Sequence, residues 1–168
     1  MTKGIKSATN ENLAHTRMNG SEHSTDKGIS CPSSPRVFKI AIIDDSPDDI
    51  FFLWMALNKT FGNCEIAHFD DGEKAIQGLS KPPEEGEGQS DVIILDIKMP
   101  RLNGFDVLTK LKDNTQTAKI PVIMHSGSSF EEDKIKAKRL GAIDFVTKMA
   151  DCSGIVGKIR ELKETLHN

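Results

Sequence analysis

An α/β fold with a five-stranded parallel sheet and helices on both faces is predicted by three features of the sequence. Five short apolar segments rich in β-branched residues alternate with helical patterns, as in βαβ units. The segments are almost continuously apolar, as strands are when helices cover both faces of a parallel sheet. Several end directly on a polar side chain, most clearly where VIIL (92–95) runs into Asp96. Burial penalises such a charge, so its position calls for a functional reason.

The five predicted strands share a short apolar body with turn or loop residues on either side. They are VFKIAIID (37–44), CEIAHF (64–69), VIIL (92–95), IPVIMH (120–125) and IDFVT (143–147). Each connection contains a helical pattern, and crossover helices join parallel strands.

The predicted helices begin with residues 46–61, where Ser46 is the N-cap and Pro47 takes the first helical position. Asp49 follows Ser46 by three residues, which is the spacing of a capping box. Amphipathic segments follow at 72–79, 104–113 and 130–140. The last helix places five apolar residues on one face: Ile155, Val156, Ile159, Leu162 and Leu166.

Composition excludes several classes of protein. The 168 residues suffice for one ordinary domain, and the net charge of -3 argues against nucleic-acid binding through a positive field. Cys31, Cys64 and Cys152 are widely separated and form no C-x-x-C pair, which indicates a reduced, cytoplasmic protein. No apolar run approaches the length of a membrane span, and no signal peptide is evident.

Two segments differ in composition from the predicted domain. Residues 1–35 are rich in Ser, Thr, Asn, Gly and Pro, and their apolar residues are isolated. Such a segment cannot bury enough surface to offset its ordering entropy, so we expect a disordered tail followed by one domain over residues 36–168. KPPEEGEGQS (81–90) is expected to form a mobile loop before the third strand.

Polar side chains end four of the predicted strands. Asp44 and Asp45 end the first strand, Asp96 the third, Ser126 the fourth and Lys148 the fifth. Ligands of open α/β sheets bind in the crevice beyond the carboxyl ends of the strands. These five residues are therefore expected to meet at one edge of the sheet.

The chemistry of these five residues favours the binding and transfer of a phosphoryl group. Three carboxylates at one edge repel each other, and Mg²⁺, which takes carboxylate and phosphoryl oxygens, would relieve that repulsion. Lys148 would add a positive charge and Ser126 a hydroxyl donor, which suits a transferred phosphoryl group. A carboxylate can act as a nucleophile, and Asp96 on the central strand is the candidate.

From Val37 to Leu166 the chain resembles a response-regulator receiver domain of two-component signalling. The resemblance is carried by four segments, each weak alone but specific when all occur in order at strand ends. They are Asp44–Asp45, LDIKMPRLNGFDVL (95–108), IPVIMHSGS (120–128) and GAIDFVTK (141–148). The resemblance implies the flavodoxin-like receiver fold.

The resemblance also implies a role for each matched residue. Asp96 would accept a phosphoryl group from a histidine kinase or a histidine phosphotransfer protein, and the chain would be a signalling domain rather than an enzyme. Mg²⁺ would be held by Asp44, Asp45, Asp96 and the backbone carbonyl of Lys98. Ser126 and Lys148 would contact the phosphoryl oxygens. Phe145 would be the aromatic residue that changes rotamer on activation.

The residue after Lys148 departs from the family pattern. Receiver domains usually carry proline there in a cis linkage, whereas this chain has Met149. A cis bond before a residue other than proline costs about 2.5–4 kcal/mol. The sequence therefore leaves open whether the Lys148–Met149 bond is cis or trans. The missing proline and the opening IDDSPDDIFFL (43–53) are similar to stand-alone receivers found beside phytochrome kinases.

The same residues also fit other interpretations. Singly, Asp44 and Asp45 could be helix caps, Ser126 a turn residue, Lys148 a solvated lysine and Phe145 ordinary core. A phosphatase of the haloacid-dehalogenase type would need D-x-D after the first strand, and a dinucleotide-binding domain would need G-x-G-x-x-G there. A degenerate receiver that binds partners without phosphorylation is the remaining alternative.

The expected output is a contact with another protein, because about twenty residues follow Lys148 and one helix uses them. The candidate surface comprises the fourth helix, fifth strand and fifth helix, and a homodimer through this face is left open. His125, beside Ser126, is expected at the pocket rim or on the domain surface.

Overall fold

The structure is a computed structural model that describes residues 37–82 and 89–166. The predicted tail over residues 1–35 and the central part of the predicted loop at 81–90 lie outside the described residues. The described elements, in chain order, are β1 (Phe38–Ile43), α1 (Pro47–Phe61), β2 (Cys64–Phe69), α2 (Gly72–Leu79), β3 (Val92–Leu95), α3 (Gly104–Asp113), β4 (Val122–Ser126), α4 (Glu131–Arg139), β5 (Asp144–Thr147) and α5 (Ser153–Leu166).

All five strands form one parallel sheet in the order β2-β1-β3-β4-β5. The predicted five-stranded, flavodoxin-like α/β fold is confirmed. The chain winds outward from β1 to β2 on one side, then crosses to β3 and continues to β5 on the other. The two directions diverge at β1 and β3, and ligands of this fold class bind at the carboxyl ends of such strands.

Helices cover both faces of the sheet because successive strand residues point to opposite sides. On one face, Ala41 and Ile43 of β1 join apolar residues of α2, α3 and α4 in what we call the first core. On the other face, Ile40 and Ile42 join residues of α1 and α5 in the second core. β1 over Ile40–Ile43 and β3 over Val92–Leu95 are therefore buried on both sides, which explains why these two stretches are uninterruptedly apolar.

Two expectations about the elements need correction. β4 begins at Val122 instead of Ile120 and includes Ser126, which pairs with Thr147 of β5. In α5, Ile155, Val156 and Ile159 are buried and Leu162 is half-buried, but Leu166 is 50% exposed. Leu166 lies in the last turn of the helix, where it lines an open groove with Gln89, Ser90 and Pro121.

No helix within residues 37–82 and 89–166 combines the length and the apolar character that a membrane span requires.

Candidate functional site

The backbone ladder of the sheet continues for one residue beyond three of the strands. The amide of Asp44 donates to the Phe69 carbonyl at 3.1 Å, and that of Asp96 to the Ile43 carbonyl at 2.9 Å. The amide of Lys148 donates to the carbonyl of Ser126 at 2.8 Å. The polar residues after the strands are thus held in register by the same hydrogen bonds that build the sheet.

Three carboxylates meet at this edge. Oxygen atoms of Asp44, Asp45 and Asp96 all lie within 4.8 Å of one another. Asp44 is 3% exposed and Asp96 is 5% exposed, whereas Asp45 faces solvent. Negative charges this close repel each other strongly when two of them are removed from water.

Lys148 is the cation that faces this cluster. Its Nζ lies 2.7 Å from Oδ2 of Asp44, 2.8 Å from Oδ2 of Asp49 and 3.4 Å from Oδ2 of Asp96. Burial alone would lower the pKa of Lys148, but hydrogen bonds to Asp44 and Asp49 and the nearby carboxylate charges raise it well above its ordinary value. Lys148 therefore stays charged throughout the physiological pH range.

Opposing effects act on the pKa of Asp44. Burial raises the pKa of Asp44, while hydrogen bonds from Lys148 and from the Ser46 amide, 2.9 Å from Oδ1, oppose that rise without cancelling it. The Lys148 charge also lowers this pKa, and the Asp96 charge raises it. A further positive charge at this position would favour the ionised form.

Asp96 carries an oxygen with an unmet hydrogen-bonding capacity. Its Oδ1 is buried and has no hydrogen-bond partner among the residues that the structure describes. Buried carboxylate oxygens without partners are costly, so such an atom indicates a group that reacts or binds a ligand. Together with the Asp44 and Asp45 oxygens, it completes an all-oxygen donor set that fits Mg²⁺.

Asp49 contributes its carboxylate to this site, although its spacing from Ser46 predicts only a helix cap. The predicted capping box is half formed, because the Ser46 side chain accepts a hydrogen bond from the Asp49 amide at 3.3 Å. The Ser46 amide donates to Asp44, and the Asp49 carboxylate turns to Lys148. The only sequence signal was an acidic residue one helical turn beyond the Asp44–Asp45 pair.

Ser126 and Phe145 belong to the same side of the sheet. Ser126 is fully buried, and its Oγ accepts a hydrogen bond from the Ser128 amide at 3.4 Å. Phe145 pairs in register with Met124, two residues before Ser126, and packs half-buried against the first core. The hydroxyl and the aromatic ring therefore both face the α3–α4 side.

At Gly104, where the loop after β3 enters α3, the backbone packs so closely against Asp96 that a side chain has no room. A Cβ atom on Gly104 would lie 2.0 Å from the carbonyl oxygen of Asp96. The Gly104 amide donates to the Ile97 carbonyl at 2.9 Å, which draws the start of α3 against the segment that carries Asp96. Lys98 lies in this loop with its side chain exposed.

The segment after β5 contains the peptide bond at which the chain departs from the family's proline pattern. The Lys148–Met149 peptide bond is trans, since the described residues contain no cis peptide. Met149 is 60% exposed, and Cys152 adopts a left-handed φ of 54° before α5 begins. The Cys152 amide donates to the Met149 carbonyl at 3.1 Å, which closes the turn without a proline.

His125 is not on the domain surface, so that part of the expectation was wrong. It is 4% exposed and shares a face of β4 with Ile123, which points to the second core. Burial lowers the pKa of His125 to about 4, and the Lys148 charge adds to this effect against the opposing charge of Asp49. Because strand residues alternate, burying Ser126 on one face places His125 in the opposite core.

Known proteins resemble this chain over most of its length. The response regulator receiver domain family matches residues 40–160. Protein PilH of Pseudomonas aeruginosa is 35% identical over 113 residues, which cover 67% of this chain and 87% of PilH. A probable cyclic di-GMP phosphodiesterase of Vibrio cholerae is 37% identical over 109 residues, and the chain spans only 23% of that protein.

Solved structures show the same architecture. The phosphorylated cyanobacterial phytochrome response regulator RcpA superposes with a TM-score of 0.65 at 27% identity, over 77% of this chain and 93% of RcpA. The bacteriophytochrome response regulator AtBRR gives a TM-score of 0.65 at 28% identity, over 77% of this chain and 94% of AtBRR. With the family match across residues 40–160 and the relation to PilH, this chain belongs to the response regulator receiver domain family of two-component signalling.

Proposed function

We propose that the chain is a stand-alone response regulator that accepts a phosphoryl group on Asp96 and signals by contact with other proteins. The observation that carries this proposal is the position of Asp96, whose buried Oδ1 lacks a partner while Lys148 lies 3.4 Å from its other oxygen. An unpaired nucleophilic oxygen beside a fixed cation is the arrangement that phosphoryl transfer needs.

The reaction can be written for the residues at the site. A carboxylate oxygen of Asp96 attacks the phosphorus of a phosphohistidine, an O–P bond forms, and the N–P bond breaks to release the imidazole. Lys148 neutralises charge on the phosphoryl oxygens, and the Ser126 hydroxyl donates a hydrogen bond to one of them. Asp44, Asp45, Asp96 and the backbone carbonyl of Lys98 would hold Mg²⁺, which supplies further positive charge when bound.

Incubation with acetyl phosphate and Mg²⁺ tests the proposal. A small-molecule donor removes the need for a partner protein, so uptake depends on this chain alone. Intact mass measurement is expected to show one added phosphoryl group, and peptide mapping to place it on Asp96. The absence of any adduct would favour the alternative of a phosphorylation-independent binding module.

Mg²⁺ is expected to raise the melting temperature of the unphosphorylated protein, because it binds folded protein and relieves the repulsion among the three carboxylates. At a concentration ten times its Kd, the stabilisation is about 1.4 kcal/mol, or about 3–6 °C. The double variant Asp44→Asn/Asp45→Asn should lose this dependence in a thermal melt with and without Mg²⁺. Asp48→Asn, which removes an exposed acid nearby, should keep it. An unchanged Mg²⁺ response in the double variant would contradict the assigned metal site.

The proposed switch couples Ser126 to Phe145. Drawing the buried Ser126 hydroxyl toward a phosphoryl oxygen would vacate space on the face that Phe145 shares, and the ring could turn in to fill it. Such a switch is a two-state packing change biased by a local charge. The shift can be no larger than the difference in how the two states hold the phosphoryl group.

Ser126→Ala is expected to block this coupling while Asp96 still binds beryllofluoride, a phosphoryl mimic, at saturating concentration. The variant loses a hydrogen bond to a charged group, worth about 1.5–3 kcal/mol. Amide hydrogen exchange over residues 126–150 should change on beryllofluoride binding in the wild type but not in Ser126→Ala. Ser126→Thr keeps the hydroxyl and should respond like the wild type. Identical changes in the alanine variant would refute the coupling.

The partners would be a histidine kinase or a histidine phosphotransfer protein, and the likeness to RcpA and AtBRR supports a kinase of the phytochrome type. Residues 36–168 would act as the receiver domain in the cytoplasm. Apolar side chains on the α4–β5–α5 side support this face as a contact surface or homodimer interface, since Ile135 is 47% and Ile143 53% exposed. The convergence of all five strand-end residues supports phosphoryl acceptance over a degenerate receiver.

A further inference from the structure

Lys148 has an acidic partner that the reaction does not require. Asp49, in the first turn of α1, places Oδ2 at 2.8 Å from the Lys148 Nζ. This distance nearly equals the 2.7 Å to Asp44 and is shorter than the 3.4 Å to Asp96. The ammonium group therefore lies closer to the carboxylates of Asp44 and Asp49 than to that of Asp96.

The two close partners differ in what surrounds them. The Asp44 side chain is 5% exposed and belongs to the carboxylate set that fits Mg²⁺. The Asp49 side chain is 42% exposed and lies outside that set. Water can replace Lys148 as a partner of Asp49 but not as easily as a partner of Asp44. Asp49 is thus the partner that Lys148 can leave at the lower cost.

A phosphoryl group on Asp96 would compete with Asp49 for the same ammonium group. Lysine has three N–H donors, and two of them are already at hydrogen-bond distance from Asp44 and Asp49. The Asp49 carboxylate also neutralises part of the charge that would attract phosphoryl oxygens. Both effects stabilise the unphosphorylated arrangement relative to the phosphorylated one.

We infer that Asp49 is a positioning residue that restrains Lys148 on the α1 side and so limits how tightly a phosphoryl group on Asp96 is held. The inference rests on the proposed phospho-acceptor function and adds a control on it. Asp49 acts through Lys148 and is not part of the carboxylate set that fits Mg²⁺. The restraint belongs to α1, a helix whose exposed face carries Phe51, Phe52, Trp54 and Met55 beside this turn.

Beryllofluoride binding in the presence of Mg²⁺ measures the restraint, with the bound species followed by ¹⁹F NMR. Asp49→Asn is expected to raise the affinity for beryllofluoride about two- to five-fold, the range that a half-exposed ion pair supports. Asp49→Ser, which also suits the first turn of a helix, should give the same rise and guards against a folding defect in either variant.

Asp48→Asn is the matched control. It removes the same charge from the same first turn of α1, but Asp48 is exposed and the acidic partners of Lys148 among the described residues are Asp44, Asp49 and Asp96. The affinity of Asp48→Asn for beryllofluoride should equal that of the wild type. An equal rise in Asp48→Asn would show a general charge effect and overturn the inference.

A Lys148→Met background shows whether Asp49 acts through Lys148. Adding Asp49→Asn there should leave the weakened beryllofluoride affinity unchanged, measured at millimolar concentrations. The same fold increase in both backgrounds, or no increase in the otherwise native chain, would overturn the inference while leaving the phospho-acceptor function standing. A wild-type protein that bound no beryllofluoride would instead refute the acceptor function itself.

Discussion

Asp96→Asn is expected to abolish labelling by acetyl phosphate completely while the fold survives. The amide keeps the shape of the side chain, but it is not a nucleophile at neutral pH, so the O–P bond cannot form. Asp44 and Asp45 cannot take over this role in the same geometry, because both follow β1 and Asp96 alone ends the central strand β3.

The folded state should tolerate this change well. Asp96 is 5% exposed and its oxygen lies within 4.8 Å of oxygens of Asp44 and Asp45, so the amide removes one of three mutually repelling charges. Lys148 keeps its closer partners Asp44 and Asp49. In the absence of Mg²⁺, the melting temperature of Asp96→Asn should therefore be no lower than that of the wild type.

Intact mass measurement after incubation with acetyl phosphate and Mg²⁺ checks this result. Asp70→Asn is the matched control, since Asp70 also follows a strand, but its side chain is 63% exposed and pairs with Lys74. That variant should be labelled as fully as the wild type. Stoichiometric labelling of Asp96→Asn would show that another side chain is the acceptor.

The fold and the strand-end residues could be predicted because both depend on local sequence patterns. Apolar runs identify the strands, and the parallel arrangement places all their carboxyl ends at one edge. Once the sheet exists, the backbone hydrogen bonds of Asp44, Asp96 and Lys148 leave their side chains little choice of location.

The partner of a flexible side chain could not be predicted in the same way. Asp49 fits a capping box by spacing, but its carboxylate contacts Lys148, which lies 99 residues away in the chain. The choice between the Ser46 amide and a buried ammonium depends on the distance between α1 and the end of β5, which no local pattern encodes. Asp44 already accepts the Ser46 amide, which leaves Asp49 free to turn inward.

The degree of burial of residues near the ends of strands and helices could not be predicted from the sequence either. His125 was expected at the pocket rim or on the domain surface, yet it is 4% exposed and lies on the face of β4 that points to the second core. Leu166 fits the apolar stripe of α5 but lies past the part of the helix that the sheet covers. Periodicity predicts which face a residue shares, whereas its burial depends on how far the opposing layer extends.

Gly104→Ala is expected to destabilise the protein and to slow phosphorylation, because the added Cβ atom clashes with the backbone. The Cβ atom would lie 2.0 Å from the Asp96 carbonyl oxygen, 2.8 Å from the Ile97 Cα and 2.9 Å from the Asp96 carbonyl carbon. All three neighbours are backbone atoms, so no side chain can rotate away and the loop or the start of α3 must move. Overpacking of this kind costs about 1–3 kcal/mol, a large share of the stability of a small domain.

The same movement would displace Asp96 from the position that the sheet sets. A misplacement of about 1 Å at a reacting group can reduce a rate by about a hundred-fold, so labelling by acetyl phosphate should slow even below the melting temperature. The helix propensity of alanine opposes the clash by about 1 kcal/mol at most. The steric contact is therefore expected to dominate both measurements.

Gly157→Ala separates this contact from the general effect of replacing a helical glycine. Gly157 lies within α5, and a Cβ atom there would meet nothing within 4 Å. That variant should gain about 0.5–1 kcal/mol and be labelled at the wild-type rate. Urea unfolding and time-resolved mass measurement on both variants give the comparison. Equal stability and equal labelling of Gly104→Ala and the wild type would mean that α3 and the Asp96 backbone do not approach as closely as the structure places them.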